Sequence, residues 1–362
     1  MKNFIKNYLK ISDYNITYFT NGRNNITCLV ESPHPNPIPG GEREFNSIKI
    51  IIQKENINFS ENQKFLINYL IENSKNTELN LATSYLDNRF IEFKGNYFQV
   101  MNNIESTKIS DDDFIKKASE KNIISCFEYL AKFHNFSEKL IIKEDKINIG
   151  KTFKSVKELF LQAEKLNKNS LLTEGFSPLK NGNIKKINSQ DNQRAEALCG
   201  QAEDFNDIFK KIKKLKNNLI IIETGKSNFE SGIIHGDTAF KNMLFDKNIN
   251  AISLIDYEKV EYNNFIWDIA DLIRSLLKVD NFNNNLLKSC ILKYCEIKNI
   301  PEIEKREIIN YLQTLVFHVI LQYFLALFPE SGVENKIGNK SDTIKKLERG
   351  FGELKKIENW VI

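Results

Sequence analysis

The sequence has few of the residues that usually build a metal centre from protein side chains alone. It contains four histidines and five cysteines in 362 residues, with no C-x-x-C pair and no His-Asp dipeptide. Zinc sites and disulfide frameworks need closely spaced ligands or paired cysteines, so the scattered cysteines predict neither. A metal-dependent phosphohydrolase normally uses several histidines and an adjacent His-Asp pair, and the sequence does not support that class.

The chain also lacks an excess of charge of one sign. Lys and Arg number 51 and Asp and Glu number 47, so the formal net charge is only +4 and is spread along the sequence. A nucleic-acid-binding protein usually concentrates basic residues on one face, so no nucleic-acid partner is expected. Residues 1–15 contain no apolar core of signal-peptide length, and we therefore expect a cytoplasmic protein.

Long uncharged segments are scarce as well. The longest, Asn310–Phe328, approaches the length of a membrane span but includes the polar residues Asn310, Gln313, His318 and Gln322. We interpret it as a buried helix of a helical lobe and expect no membrane partner. The alternative is a membrane-spanning helix. Nothing in the sequence indicates an oligomeric state.

Proline and glycine number only 7 and 15, and their clusters predict two insertions. Four of the prolines lie in 32–44. Because proline has no amide hydrogen, this segment is predicted to be an extended loop inserted between strands, with a docking motif as the alternative. Residues 168–201 are polar and interrupted by Gly175, Pro178 and Gly182, which predicts a second, loop-like insertion.

Periodic patterns divide the chain into a strand-rich and a helix-rich part. Strand patterns occur within residues 11–30, 45–54, 89–92 and 97–101. Helical patterns occur at residues 61–71, 111–134, 205–216, 266–279, 285–298, 301–328 and 341–357. This order predicts an α+β fold, with a β-rich N-terminal lobe at 1–104 and a helical C-terminal lobe at 105–362.

The most informative segment is Ile233–Asp271. It begins IIHGD, and two β-prone runs follow, separated by the turn signal DKN at 246–248. A hairpin there would return the chain so that Asp256 lies beside Asp237 and Asn242. Three oxygen-bearing side chains at one end of a buried ribbon suit a hard cation such as Mg²⁺ next to phosphate oxygens.

These motifs together resemble one group of enzymes. Asp237 and Asn242 have the D-x-x-x-x-N spacing of a kinase catalytic loop. The combination of HGD-x-x-x-x-N-x-L-F-D, I-D-Y-E and W-D-I-A resembles the aminoglycoside phosphotransferase and choline kinase group of small-molecule kinases. The resemblance covers most of Ile11–Leu277. It implies a bilobal protein-kinase-like fold and Mg²⁺-dependent transfer of the γ-phosphate of ATP or GTP to a small-molecule hydroxyl.

The resemblance also implies roles for five residues. Asp237 would orient the acceptor hydroxyl, and Asn242 and Asp256 would bind Mg²⁺. His235 and Asp268 would support the catalytic loop without taking part in the chemistry. An aspartate in the first turn of a helix also stabilises the helix N-terminus, which is the alternative for Asp268.

Seven residues are candidates for nucleotide binding: Gly22, Asn24, Asn25, Gln53, Lys54, Asn102 and Asn103. The first three form a turn that resembles the phosphate-covering turn of N-acetylhexosamine kinases, with an ordinary surface turn as the alternative. The next two end a strand, where either could face the nucleotide, and Lys49 is a further candidate. The last two would connect the lobes, where adenine binds backbone atoms in this fold.

The sequence gives less information about the acceptor molecule than about the reaction. The NNIT turn, the IIIQK strand and the HGDT variant look most like the sugar kinases, so an N-acetylhexosamine-type sugar is the leading prediction. Choline or ethanolamine, homoserine and an aminoglycoside are the alternative acceptors. The alternative from another class is a non-catalytic nucleotide-binding protein with the same fold.

Overall fold

The computed structural model describes most of the predicted elements. The described residues are 2–9, 11, 14–19, 25–31, 47–53, 61–74, 77–79, 81, 90–93, 96–107, 109, 111–140, 156–173, 206–219, 230–277, 283–303, 305–328, 331 and 340–361. Three of the predicted nucleotide-binding residues, Gly22, Asn24 and Lys54, lie outside this set. The proline-rich segment 32–44 and residues 174–205 lie outside it too.

The N-terminal part forms a five-stranded antiparallel sheet of order β1-β2-β3-β5-β4. Its elements are α1 (Lys2–Asn7), β1 (Asn15–Phe19), β2 (Asn25–Glu31), β3 (Ser47–Gln53), α2 (Glu61–Ser74), β4 (Phe90–Phe93) and β5 (Asn96–Asn102). Helix α1 is packed against the sheet, where Phe4 stacks on Phe98 with ring centroids 3.9 Å apart. The predicted strands and the predicted helix after the third strand are confirmed.

Four helices and two small antiparallel β pairs follow the sheet. They are α3 (Asp111–Lys117), α4 (Glu120–Glu138), β6 (Ser231–Ile234), β7 (Met243–Phe245), β8 (Ala251–Leu254), β9 (Glu261–Asn264), α7 (Ile266–Leu276) and α8 (Asn284–Lys298). Strand β6 pairs with β9 and β7 pairs with β8, both antiparallel. The predicted hairpin around residues 246–248 is therefore confirmed.

The single helix predicted over residues 111–134 is wrong, because two helices meet near Ser119. The side chain of Ser119 accepts a hydrogen bond from the backbone N–H of Asn122, and the Asn122 side chain accepts one from the N–H of Ser119. This reciprocal capping satisfies two amide groups at the start of α4, so a new helix begins there. Asn122 also donates to the carbonyl of Asn248 and thereby joins α4 to the β7–β8 turn.

Four helices lie in the remaining parts of the chain: α5 (Val156–Thr173), α6 (206–218), α9 (Lys305–Leu325) and α10 (Lys340–Val361). Helix α9 packs against α5 and α10. Residues 168–173, predicted as the start of an insertion, form the last part of α5. The helix start predicted at Pro301 is wrong, since 301–303 are not helical and α9 begins at Lys305.

The described chain divides into two compact units. The first comprises Met1–Ile149, Phe229–Leu272 and Asn285–Glu302, and the second comprises Gly150–Asn228, Ile273–Asn284 and Ile303–Ile362. Residues 301–303 thus carry the chain from one unit into the other before α9 starts. The lobe boundary predicted after residue 104 falls inside the first unit and stays a prediction.

Helix α9 contains the apolar run noted in the sequence. Among the described residues, Arg306–Leu325 is one helix that is long and apolar enough to cross a membrane by length and composition. However, 67% of its most apolar window is buried inside the protein. This burial agrees with the interpretation of the run as a core helix.

Candidate active site

The loop after β6 carries His235, Gly236 and Asp237, and a buried carboxylate holds its backbone. Asp268 Oδ2 accepts a hydrogen bond from the N–H of His235, and Oδ1 accepts one from the N–H of Gly236, both at 2.8 Å. The hydroxyl of Thr238 donates to the carbonyl of Asp268 at 2.7 Å. Asp268 is fully buried. Its two oxygens therefore fix the path of the loop directly before Asp237.

Asp268 lies in the first turn of α7, where a negative charge can also stabilise the helix N-terminus. Asn264 Oδ1 accepts from the N–H of Ile266, the first residue of α7, at 2.8 Å. Asp268 lies two residues further on, and the contacts of its carboxylate described here go to the loop and to a histidine. Both the supporting role and the helix-terminus role of Asp268 therefore stay predictions.

His134 contacts the carboxylate of Asp268, which in turn holds the loop before Asp237. Its Nε2 lies 3.1 Å from Asp268 Oδ2 and its Nδ1 lies 2.6 Å from the hydroxyl of Tyr294. Burial lowers the pKa of His134, although Asp268 acts in the opposite direction, so we treat the ring as neutral. A neutral ring that donates from Nε2 to the carboxylate must accept at Nδ1 from the tyrosine. The chain Tyr294–His134–Asp268 is thereby satisfied at every link.

His235 links the loop to the returning hairpin strand. Its Nε2 lies 2.9 Å from the carbonyl oxygen of Ile255, and its Nδ1 accepts from the N–H of Asp237 at 3.3 Å. Burial lowers the pKa of His235, with opposing effects of Asp268 and Asp237. A neutral imidazole with Nε2 protonated satisfies both contacts. This arrangement agrees with a supporting role.

The hairpin brings the predicted metal ligands together as expected. The side-chain amide of Asn242 donates from Nδ2 to the carbonyl of Asp237 at 2.8 Å, and the N–H of Ile255 donates to the carbonyl of Asn242 at 2.8 Å. Asp256 is the next residue, and its left-handed backbone (φ 69°, ψ 62°) turns the chain sharply after β8. Such a conformation is uncommon outside glycine and tends to occur at functional sites.

These residues fit a magnesium ion that also binds a nucleotide. Because Nδ2 of Asn242 is held by Asp237, the amide orientation leaves Oδ1 as the ligand atom, and Asp256 is exposed. Mg²⁺ commonly uses one or two protein ligands together with phosphate oxygens and water. Within the described residues, no group of three or more His, Cys, Asp and Glu side chains could hold a metal ion by itself.

Two lysines that the sequence analysis missed contact the central carboxylate. Lys259 Nζ lies 3.2 Å and Lys241 Nζ 3.5 Å from Asp237 Oδ2. Burial alone would raise the pKa of Asp237, but Lys259 and Lys241, with a smaller share from His235, outweigh burial and lower it. Lys241 could have been suspected from its position four residues after Asp237, whereas Lys259 comes close only through folding.

Gly236 explains how Lys259 comes so close. Its φ of +75° is in the left-handed region, and a Cβ added there would lie 2.3 Å from the carbonyl oxygen of Lys259. Only glycine allows both this backbone conformation and this approach. The short 3₁₀ turn Tyr257–Lys259 therefore packs directly on the loop and presents the lysine to Asp237.

The predicted nucleotide-binding residues are described in part. Asn25 and Gln53 are register partners at one end of the sheet, and Tyr97 lies on the other side of Gln53. Asn102 ends β5 and Asn103 follows it, at the opposite end of the β3–β5 pair. Lys49 pairs with Leu29 and Met101 in the middle of the sheet. The structure thus brings together Asn25 and Gln53, and the roles of all these residues stay predictions.

One contact at the site predicts a pH effect. A Lys259→Gln substitution removes the stronger of the two cationic influences on Asp237, so the pKa of this carboxyl should rise. If Asp237 must be ionised for turnover, the acid limb of the pH profile of kcat/KM should move to higher pH. The lowered pKa of Asp237 also stabilises the folded state. This contribution to the free energy of unfolding is present above the unfolded-state pKa and is lost as pH falls through the folded-state pKa. It should be smaller in the variant.

The matched control for this prediction is Lys247→Gln, in the exposed turn between β7 and β8. It also removes one positive charge, from the hairpin that precedes Lys259 in the sequence, but it should leave the acid limb in place. An acid limb that does not move in the Lys259 variant would contradict the assignment of Lys259 as a determinant of Asp237 ionisation.

Comparison with known proteins gives a family and a fold. A family model described as the ecdysteroid kinase-like family matches residues 51–296, about two thirds of the chain. No curated protein sequence matches the chain.

Several solved structures are similar in fold. The amicoumacin kinase hAmiN in complex with AMP-PNP, Ca²⁺ and Ami is 12% identical, with a TM-score of 0.56 over 98% of this chain and 93% of that chain. The gentamicin complex of APH(2'')-IIa is 14% identical, with a TM-score of 0.55 over 98% and 94%. An aminoglycoside phosphotransferase from Alicyclobacillus acidocaldarius is 12% identical, with a TM-score of 0.51 over 95% and 90%. The predicted α+β, protein-kinase-like fold is confirmed.

Proposed function

Because the chain belongs to the ecdysteroid kinase-like family, we propose that it transfers the γ-phosphate of ATP or GTP to a hydroxyl group of a small molecule. Family membership makes the chain a small-molecule phosphotransferase. The donor, the metal and the acceptor are part of the proposal.

The observation that supports this reaction best is the position of Asn242. It is tied through Nδ2 to the carbonyl of Asp237 and through its own carbonyl to the N–H of Ile255, next to Asp256. The carboxylate proposed to bind the acceptor hydroxyl and the two residues proposed to bind a metal ion thus lie close together, on segments joined by hydrogen bonds. Phosphoryl transfer needs this combination, because its catalysis is mostly positioning and charge stabilisation.

In the proposed mechanism, Asp237 accepts a hydrogen bond from the acceptor hydroxyl and aims its oxygen at the γ-phosphorus. Asn242 and Asp256 would hold Mg²⁺, which when bound neutralises negative charge on the phosphate oxygens. His235 and Asp268 keep the loop in place, as their hydrogen bonds to backbone atoms indicate. In this mechanism, Asp237 takes up the hydroxyl proton as the transfer proceeds.

The leading acceptor is a sugar of the N-acetylhexosamine type. Its support is the likeness of the Asn-rich turn, the IIIQK strand and the HGDT sequence to sugar kinases. Two of the structural neighbours named above contain a small molecule, Ami in the amicoumacin kinase and gentamicin in APH(2'')-IIa. Choline, ethanolamine, homoserine and aminoglycosides are the competing acceptors. Asn25, Gln53, Lys54, Asn102 and Asn103, with the turn at Gly22 and Asn24, are proposed to bind the nucleotide.

A panel of acceptors tests the proposal. Purified protein is incubated with Mg²⁺, with ATP or GTP, and with sugars, N-acetylated sugars, choline, ethanolamine, homoserine and aminoglycosides. Phosphorylated product from at least one acceptor is expected. Nucleotide binding without any product from the panel would favour the non-catalytic alternative.

The metal assignment has its own variant, Asp256→Asn. Asparagine tolerates the left-handed backbone at this position and removes only the negative charge. The Mg²⁺ concentration that supports half-maximal activity should rise at least about tenfold, since one ligand of the ion loses its charge. An unchanged Mg²⁺ titration of activity and of nucleotide binding would show that Asp256 does not hold the ion.

A further inference from the structure

Two ammonium groups lie beside the carboxylate that would bind the acceptor. Both lysine contacts, from Lys259 at 3.2 Å and from Lys241 at 3.5 Å, are made with Asp237 Oδ2. Both lysine side chains are about half exposed, with 49% and 56% of their surface accessible. Two positive charges therefore flank one negative charge, on a side chain that is itself 19% exposed.

Three other titratable groups among the described residues of this site do not reverse that balance. Asp268 is buried and its carboxylate is occupied by two backbone N–H groups and a histidine. Asp256 is exposed but is proposed to hold the metal ion, whose own charge is positive. His235 is buried and its pKa is lowered, so it adds no charge near pH 7.

Any acceptor must come within the field of both lysines. A hydroxyl that donates to Asp237 lies about 2.7 Å from one carboxylate oxygen, and thus within about 8 Å of both lysine nitrogens. This distance is similar to the screening length of about 8 Å at physiological ionic strength, so the charges are felt there. A cationic group next to the reacting hydroxyl would meet two like charges and a carboxylate that is already paired.

We propose that Lys241 and Lys259 restrict the acceptor to alcohols that carry no positive charge next to the reacting hydroxyl. This inference rests on the proposed function and narrows its acceptor class. It separates the competing acceptors by charge: N-acetylated sugars are accepted, whereas choline, ethanolamine and free amino sugars are disfavoured. Electrostatic complementarity of this kind selects among partners more than it adds affinity.

The test compares acceptors that differ in charge and little else. One pair is N-acetylglucosamine and glucosamine, and the second is 3,3-dimethylbutan-1-ol and choline. For each pair, the ratio of kcat/KM for the neutral member to kcat/KM for the cationic member is measured. The ratio is also measured for the best acceptor of the panel and its amine-bearing or amine-free analogue. In the wild-type chain, kcat/KM of the neutral member should exceed that of the cationic member at least about tenfold. The ratio should shrink as salt is raised, because both lysines are exposed.

Variants show whether the lysines cause the preference. Lys241→Gln and Lys259→Gln should each reduce the ratio severalfold, and the double variant should reduce it further. Lys247→Gln, an exposed lysine in the β7–β8 turn, should leave the ratio unchanged. A merely structural role of the lysines would lower activity on both members equally and leave the ratio as it was.

The outcomes separate the two proposals. Equal or better turnover of the cationic members, or a ratio unaffected by both lysine variants, overturns the charge selection and leaves the kinase activity intact. Absence of product from every acceptor overturns the kinase activity, and the charge selection falls with it.

Discussion

An Asp237→Asn variant is expected to lose at least about 10³-fold in kcat, while it keeps its fold and its affinity for nucleotide. The substitution preserves the size of the side chain but removes the negative charge that accepts the acceptor proton. The cost in stability should be about 1 kcal/mol or less, because the ion pairs lost are with half-exposed lysines. Turnover of the best acceptor, thermal unfolding and nucleotide titration provide the three measurements.

The matched control is Asp207→Asn, which removes an aspartate that is also paired with a lysine, Lys210, on an exposed helix surface. It should retain full activity and lose at most about 1 kcal/mol of stability, because Asp207 lies in the first turn of α6. A residual kcat in the Asp237 variant within tenfold of the wild type would remove this carboxylate from the proposed mechanism. A loss of nucleotide binding along with turnover would instead indicate a collapsed site.

An Asp268→Asn variant should be both unstable and inactive. Its two oxygens accept from the N–H groups of His235 and Gly236 and contact Nε2 of His134 in a fully buried position. An asparagine offers one oxygen and one NH₂ group, so at least one buried donor would face another donor. A buried donor left without an acceptor typically costs about 1–3 kcal/mol, and a displaced loop would lower kcat further, by about 10²-fold.

Urea unfolding and turnover check this prediction, and Asp342→Asn is the control. Asp342 is an exposed aspartate in the first turn of α10, so its removal includes the loss of a favourable negative charge at a helix N-terminus. That effect is worth about 0.3–1 kcal/mol. If both variants were destabilised by the same small amount, Asp268 would act as an ordinary helix-terminus charge. The predicted support of the loop would then be wrong.

Local sequence patterns were sufficient to predict the hairpin that carries the candidate active site. The turn at 246–248 and the β-prone runs beside it belong to one hairpin, and the spacing from Asp237 to Asn242 is short. Their convergence with Asp256 therefore followed from the sequence, and the kinase-like fold and phosphotransferase class are confirmed. The helix break at Ser119 was missed, although S-x-x-N is a recognisable variant of a capping sequence.

What could not be predicted depends on long-range contacts. Lys259 reaches Asp237 only because a glycine allows the 3₁₀ turn to approach the loop, and no periodicity in the sequence records that distance. The partner of His134 on α8, Tyr294, lies 160 residues away in the chain. No local pattern in the sequence shows which groups His134 joins.

The Tyr294–His134–Asp268 chain also has a consequence for the order of folding. Its two hydrogen bonds join residues 160 and 134 positions apart, so they close very long loops and carry a large entropic cost before they form. The β7–β8 hairpin, by contrast, closes locally. During refolding the hairpin should therefore be present early, whereas the loop before Asp237 acquires its support only when α4, α7 and α8 have docked. Recovery of catalysis would then report the last step of assembly and not the first appearance of secondary structure.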